Sequence, residues 1–282
     1  TGRVLNEIKK RSADNAEFLK FWENFGSIVK EGIWEDAEHR TELAGLARFR
    51  SSAVKAEEDK PESGWTTLAD YISRMKPEQD AIYYLTGDNE DAVANSPQLE
   101  GFRARGLEVL LLSEPVDSFW PDRLTSFEGK TLKSVTQGAA DLEKFAVEGE
   151  AATGEAADMD ILLPALKEAL GAEVSDVRGT DRLVSSAVVL AASENGPDLQ
   201  LQKLMRRSGQ KLPESAPVLE LNPRNPLVLE LARKAAEKSP ALGDLARVLL
   251  DVARIQDGEN PKDPTAFAQR LTGLLTVAAK GE

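Results

Sequence analysis

From residue 18 the apolar positions fall at Phe18, Phe21, Trp22, Phe25, Ile28 and Val29, while Glu17, Lys20, Glu23 and Lys30 lie between them. Offsets of three, four and seven trace a single stripe on a helix of 3.6 residues per turn. The spacing predicts a helix whose stripe, with Trp34 just beyond it, faces a core. A helical pattern precedes it in "GRVLNEIKKRSA", and "TELAGLARFR" (41–50) predicts another short helix. The period then changes. Apolar runs at 79–87, 107–114 and 130–136 read as strands, separated by helical patterns at 90–106, interrupted at Pro97, and at 122–129. The order βαβαβ predicts a small parallel sheet with right-handed crossovers.

The second half predicts a helix at 159–172, strands at 173–180, 185–193 and 217–222, an amphipathic segment in "LQLQKLMRRSG", and helices at 226–239, 242–256 and 264–280. The fold class is therefore α/β, α+β when taken overall. Leu242, Leu245, Val248, Leu249, Val252 and Ile255 form one stripe, and Phe267, Leu271, Leu274, Leu275 and Ala278 another. Two such terminal helices either pack on their own domain or meet a second copy in an intermolecular four-helix bundle.

Aromatic content divides the chain. Fourteen of the 16 aromatic residues lie in 1–127, and the Ala-, Gly- and acid-rich stretch 136–160 lacks strand formers, so two domains are expected to meet near residues 138–155. A net charge of −13 argues against a general nucleic-acid partner, which would need cationic neutralisation of phosphates. The one dense basic patch is 202–211. No apolar run approaches the ~20 residues of a membrane helix, so no membrane partner is expected. The chain has no cysteine, which removes disulfides and thiolate zinc sites and fits a reducing cytoplasm. A chain that opens on Thr1 reads as a segment of something longer.

Candidate chemistry is sparse. The loops 86–91 and 113–118 follow parallel strands, where ligands of such sheets sit, and they define an alternative reading as a small-molecule-binding or catalytic α/β domain. Gly87 lacks the glycine pattern of a dinucleotide turn, and Asp88 or Asn89 there reads better as a helix cap. His39 has no serine or cysteine nucleophile nearby in sequence. No histidine or cysteine cluster matches a metal site, and no pair of carboxylates stands out for acid–base work. The segment is expected to be non-enzymatic and to hold no cofactor.

Several long motifs do point to a family. "FWENFGSIVKEGIWED", "LARFRSS", "LADYISRMKPEQDAIYYLTG", "NSPQLEGFRARGLEVLLLSEPVDSF" and "FEGKTLKSVT", then "AVVLAASE", "QKLMRRSGQ" and "VLELNPRNPLV", resemble in order and spacing the ninety-kilodalton heat-shock chaperones, specifically their bacterial HtpG branch. The resemblance implies a cytoplasmic, ATP-driven folding machine. Residues 1–137 would be the helical connector and small αβα part of its middle domain, 138–155 a linker, and 156–282 the homodimerisation domain. ATP and Mg would bind only in an N-terminal domain, partnered by a large middle domain of the same chain. Unfolded or partly folded clients would be held by Phe119, Trp120 and Asp122, and by Leu201, Leu204 and Met205. The last three also suit that role by chemistry, since flexible apolar side chains repack around varied partners. Dimer contacts would come from Leu245, Leu249, Val252, Phe267, Leu271, Leu274 and Leu275.

Overall fold

A computed structural model describes residues 2–12, 15–57, 64–137, 142–148, 155–193, 196–209 and 215–280. The expected linker 138–155 and the end of the basic patch at 202–211 fall partly outside them. The chain is α/β and forms two compact units, residues 1–94 with 107–135, and residues 95–106 with 136–282.

The first unit begins with α1 (Gly2–Arg11), α2 (Asn15–Glu35) and α3 (Arg40–Leu46). Its five-stranded sheet runs β1-β3-β2-β5-β4, from β1 (Arg50–Ser51), β2 (Ala81–Thr86), β3 (Val109–Leu112), β4 (Ser126–Phe127) and β5 (Lys130–Ser134). The expected parallel core is present, with β2 parallel to both β3 and β5 and the two short edge strands antiparallel. All six residues of β2 are buried, as its unbroken apolar run requires of a strand covered on both faces. α4 (Leu68–Arg74), capped by the Thr67 hydroxyl, sets Tyr71 in the core. The Tyr71 phenol donates to the Glu108 carbonyl at 2.6 Å and accepts from the Gln79 amide and the Tyr83 N–H. Burial raises its pKa, so it stays a neutral donor that ties the helix to β2 and β3. α5 (Glu90–Ala94) follows β2.

Three expectations need correction here. The helix foreseen at 41–50 ends at Leu46, because the Phe49 N–H and C=O pair with Thr66 and the chain goes straight into β1. The stretch 122–129 is not helical. Glu128 and Gly129 both have positive φ and turn β4 back onto β5, which is the geometry that joins two strands by a two-residue hairpin. The α2 stripe is only partly interior. Phe18, Trp22, Val29 and Ile33 are buried, but Phe25 is 49% exposed, Ile28 58% and Trp34 39%. Phe21, Phe25 and Ile28, with Val4 and Ile8 of α1, line an open apolar groove of about 720 Å³ instead.

The second unit holds α6 (Glu100–Arg103), α7 (Met159–Leu170), α8 (Leu199–Arg207), α9 (Pro226–Ala236), α10 (Leu242–Gln256) and α11 (Pro264–Lys280). Its sheet has the order β6-β8-β7, from β6 (Asp176–Gly179), β7 (Val188–Ala191) and β8 (Val218–Leu221). β6 and β8 are parallel, β7 and β8 antiparallel. Leu162 and Leu166 of α7, Leu219 and Leu221 of β8, and Leu249 and Leu250 of α10 share one core. Glu100 locks the loop before β7. Its carboxylate accepts from the N–H groups of Val184, Ser185 and Ser186 and from both serine hydroxyls. Burial alone would raise its pKa, but these donors outweigh that and lower it.

Candidate functional site

Two surfaces carry the expected site residues, one in each unit. In the first, Glu114 opens a turn of 3₁₀ helix over Pro115–Ser118, closed by the Asp117 carboxylate accepting from the Glu114 N–H at 3.1 Å and by the Asp117 N–H donating to the Glu114 carbonyl at 2.9 Å. Asp117 is buried there and meets Lys30 of α2, whose Nζ lies 2.9 Å from Oδ1 and 3.0 Å from Oδ2. The indole N–H of Trp120 donates to Asp117 Oδ1 at 2.8 Å, and its ring packs on Phe49. Trp120 is consequently wholly buried. The expectation that it stands at the surface beside Phe119 is corrected, since the indole needs a polar partner and finds it inside. Phe119 remains half-buried, and Asp122 and Ser118 are exposed and half-exposed respectively. The Phe119 ring lies 5.9 Å from that of Trp34. The surface aromatic pair is thus Phe119 with Trp34. No local sequence signal joins them, because one sits on α2 and the other follows β3.

In the second unit Leu201, Leu204 and Met205 all lie on α8, half-buried, while Leu199 enters the core. Polar contacts hold the helix at both ends. Asp198 caps it, accepting from the Gln200 N–H and the Thr136 hydroxyl, each at 2.8 Å. Lys203 pairs with Asp257 at 2.7 Å, just beyond α10, and also donates to the Asp257 carbonyl. Arg206 reaches Glu259 at 3.2 Å.

Burial pushes the Asp257 carboxyl up to about 6 from 3.8, against the pull of Lys203. The folded unit therefore holds this proton more tightly than the unfolded chain does. The resulting stability is complete below the unfolded value and lost as pH rises through about 6. Urea titrations of the chain should show stability rising from pH 7 to pH 5 by up to ~1.4 kcal/mol per pH unit from this group. Asp257→Asn should flatten that rise, and an unchanged slope in the variant would refute the assignment.

The expected dimer residues divide. Leu249 belongs to the protomer's own core and is removed from that set. Leu245, Val252, Phe267 and Leu274 are half-buried, while Leu271 and Leu275 are exposed, Leu275 by 61%. No residue of α11 is buried.

The two loops of the alternative reading are filled by their own chain. Asn89 Oδ1 caps α5 through the Ala92 N–H, and a side chain at Gly87 would run into Val93. The 113–118 loop is occupied by the Glu114–Asp117 turn. His39 pairs with Asp36 at 2.9 Å. Among the described residues no group of acids and histidines could hold a metal ion. No described helix is long and apolar enough to cross a membrane.

The family model for Hsp90 protein matches residues 2–281. The chain is 58% identical over 280 residues to the chaperone protein HtpG of Gluconobacter oxydans, covering 99% of this chain and 43% of that protein. It is 54% identical over 279 residues to HtpG of a Methylobacterium species, covering 99% and 44%. HtpG of Rhizobium meliloti is 50% identical over 285 residues, again with 99% and 44% covered. The chain thus spans less than half the length of the curated relatives it matches.

Proposed function

Because the chain belongs to the Hsp90 family, we propose that it is the client-holding and self-pairing part of an HtpG-like chaperone acting in the cytoplasm. ATP and Mg are bound by other parts of such a protein. Two copies pair through α10 and α11, using Leu245, Val252, Phe267, Leu271, Leu274 and Leu275. Unfolded or partly folded clients rest on Phe119 and Asp122 in the first unit and on Leu201, Leu204 and Met205 in the second. The observation that carries this reading is α11, a 17-residue amphipathic helix without a buried residue. An amphipathic helix gains most of its stability from the face it packs against. Phe119 and the α8 side chains support the client part, being half-covered apolar groups on rigid elements.

Light scattering should give about twice 30.7 kDa, and Leu271→Glu with Leu275→Glu should return the mass to one chain. A single-chain mass for the unaltered protein at tens of micromolar removes the pairing. Phe119→Ser with Met205→Ser should weaken binding of a chemically unfolded protein about tenfold, the equivalent of ~1.4 kcal/mol, at unchanged mass. Equal binding by the double variant removes these residues as client contacts.

A further inference from the structure

The face of α2 next to the Asp117 turn forms a second surface that the client reading does not use. Trp22 and Trp65 floor an open groove of about 570 Å³. One wall is α2, through Glu23, Ser27 and Glu31, and the other is the turn Glu114-Pro115-Val116. Glu23, Ser27 and Glu31 follow one another at intervals of four, so both carboxylates stand on one row of the helix. Neither glutamate has a hydrogen-bond or ion-pair partner among the described residues. Among the described residues Glu114 has one cation within reach, Lys30 at 3.2 Å, and that lysine already neutralises the buried Asp117. The rim thus carries three carboxylates with a surplus of negative charge, and no basic residue lines it. The floor is indole. One face of Trp65 already carries a cation, the Arg50 guanidinium 4.0 Å over the ring.

We propose that this groove docks a cationic, apolar polypeptide segment, its aliphatic side chains on Trp65, Pro115 and Val116 and its Lys or Arg heads on Glu23, Glu31 and Glu114. Each part of that chemistry answers a feature of the groove. Long basic side chains lay their stems on apolar surface and keep the charged end at the rim. Tryptophan faces accept both aliphatic groups and cations. The uncompensated carboxylates attract a basic segment and repel an acidic one or a phosphate backbone. The groove of Phe25 and Ile28 on another face of α2 offers no such choice, since its rim mixes Arg3 and Arg11 with Glu7 and Asp36. The proposal holds whether or not Phe119 grips clients, because the docking groove does not include that ring.

The test uses three dye-labelled twelve-residue peptides that alternate leucine with lysine, glutamate or serine, titrated against the 282-residue chain by fluorescence anisotropy. The Leu/Lys peptide should bind at least ~10-fold more tightly than Leu/Glu and weaken as salt rises. Glu23→Gln with Glu31→Gln should weaken Leu/Lys about 5–10-fold and leave Leu/Ser unchanged. The chain carries a net charge of −13, so Glu78→Gln with Glu128→Gln, both exposed in the same unit, removes equal charge elsewhere. That pair should leave Leu/Lys binding unaltered. All four sites are at the surface, and circular dichroism should be the same for every variant. Equal weakening by the two double variants, or equal binding of Leu/Glu, overturns the proposal. So does a change of molecular mass in Glu23→Gln with Glu31→Gln, which would mean that a second copy fills the groove. Loss of binding to unfolded protein in the Phe119 variant, with peptide binding intact, bears on the client reading alone.

Discussion

Replacing Glu220 with leucine should cost the second unit about 3–5 kcal/mol and bring it to the edge of unfolding at room temperature. Glu220 lies on the central strand β8 and is almost wholly buried, as is Arg182. One carboxylate oxygen takes the Arg182 Nε–H, and the other takes Arg178 Nε at 2.9 Å and Nη2 at 2.7 Å. Removing the acid leaves a guanidinium in the interior with its counter-charge gone. Burial already lowers the Arg182 pKa, with Glu220 as the main opposing influence. The cost therefore comes from stranding the arginine, more than from losing a favourable pair. It follows that Arg182→Met combined with Glu220→Leu should recover most of the loss, because well-packed apolar groups replace a buried pair at little cost. Urea unfolding followed by far-UV circular dichroism checks both. If the double variant is as unstable as Glu220→Leu alone, the stranded-charge explanation is wrong.

The first unit contains a counterpart in Asp117. Asp117→Ala should destabilise it by about 3–5 kcal/mol, and Asp117→Asn by roughly a third of that. The carboxylate serves three donors: Lys30 Nζ, the Trp120 indole at 2.8 Å and the Glu114 N–H at 3.1 Å. Alanine abandons all three and leaves the buried Lys30 with the half-exposed Glu114 as its counter-ion. Asparagine keeps an acceptor for the indole but forfeits the charge. All four tryptophans lie in this unit, so their emission follows its unfolding, and a red shift in the alanine variant would report a wetted Trp120. A loss below ~1 kcal/mol in Asp117→Ala would show that Glu114 alone satisfies Lys30.

Both networks mark where sequence reading stops. The helix and strand pattern was legible because periodicity is local. The run of β2 announced a covered strand, and the stripes at 242–255 and 267–278 announced α10 and α11. Partners distant in sequence leave no such trace. Lys30 and Asp117 are 87 positions apart, and nothing near either one names the other. The burial of Trp120 follows from that pair, which is why an aromatic beside Phe119 looked surface-bound from sequence alone. The residues 95–106 were read as part of a crossover helix. They fold with the second unit because Arg105 donates to the carbonyls of Leu142 and Phe145, and Glu100 gathers the 184–186 loop. The hairpin at Glu128–Gly129 was missed because a glutamate at positive φ carries no signature, while the glycine after it does. For the candidate site, the α8 residues were legible as an amphipathic stripe, and the Phe119–Trp34 pair and the acidic groove were not.

The pairing proposed for α11 has a consequence for how that helix responds to concentration. A segment whose order depends on a second molecule follows mass action. At dilutions where copies separate, the last turns should fray and become the first site of proteolytic clipping. As copies accumulate, the same peptide bonds become protected without any modification of the chain. Unpaired molecules would then be trimmed selectively, and the population would be edited toward assembled ones by the abundance of the protein itself.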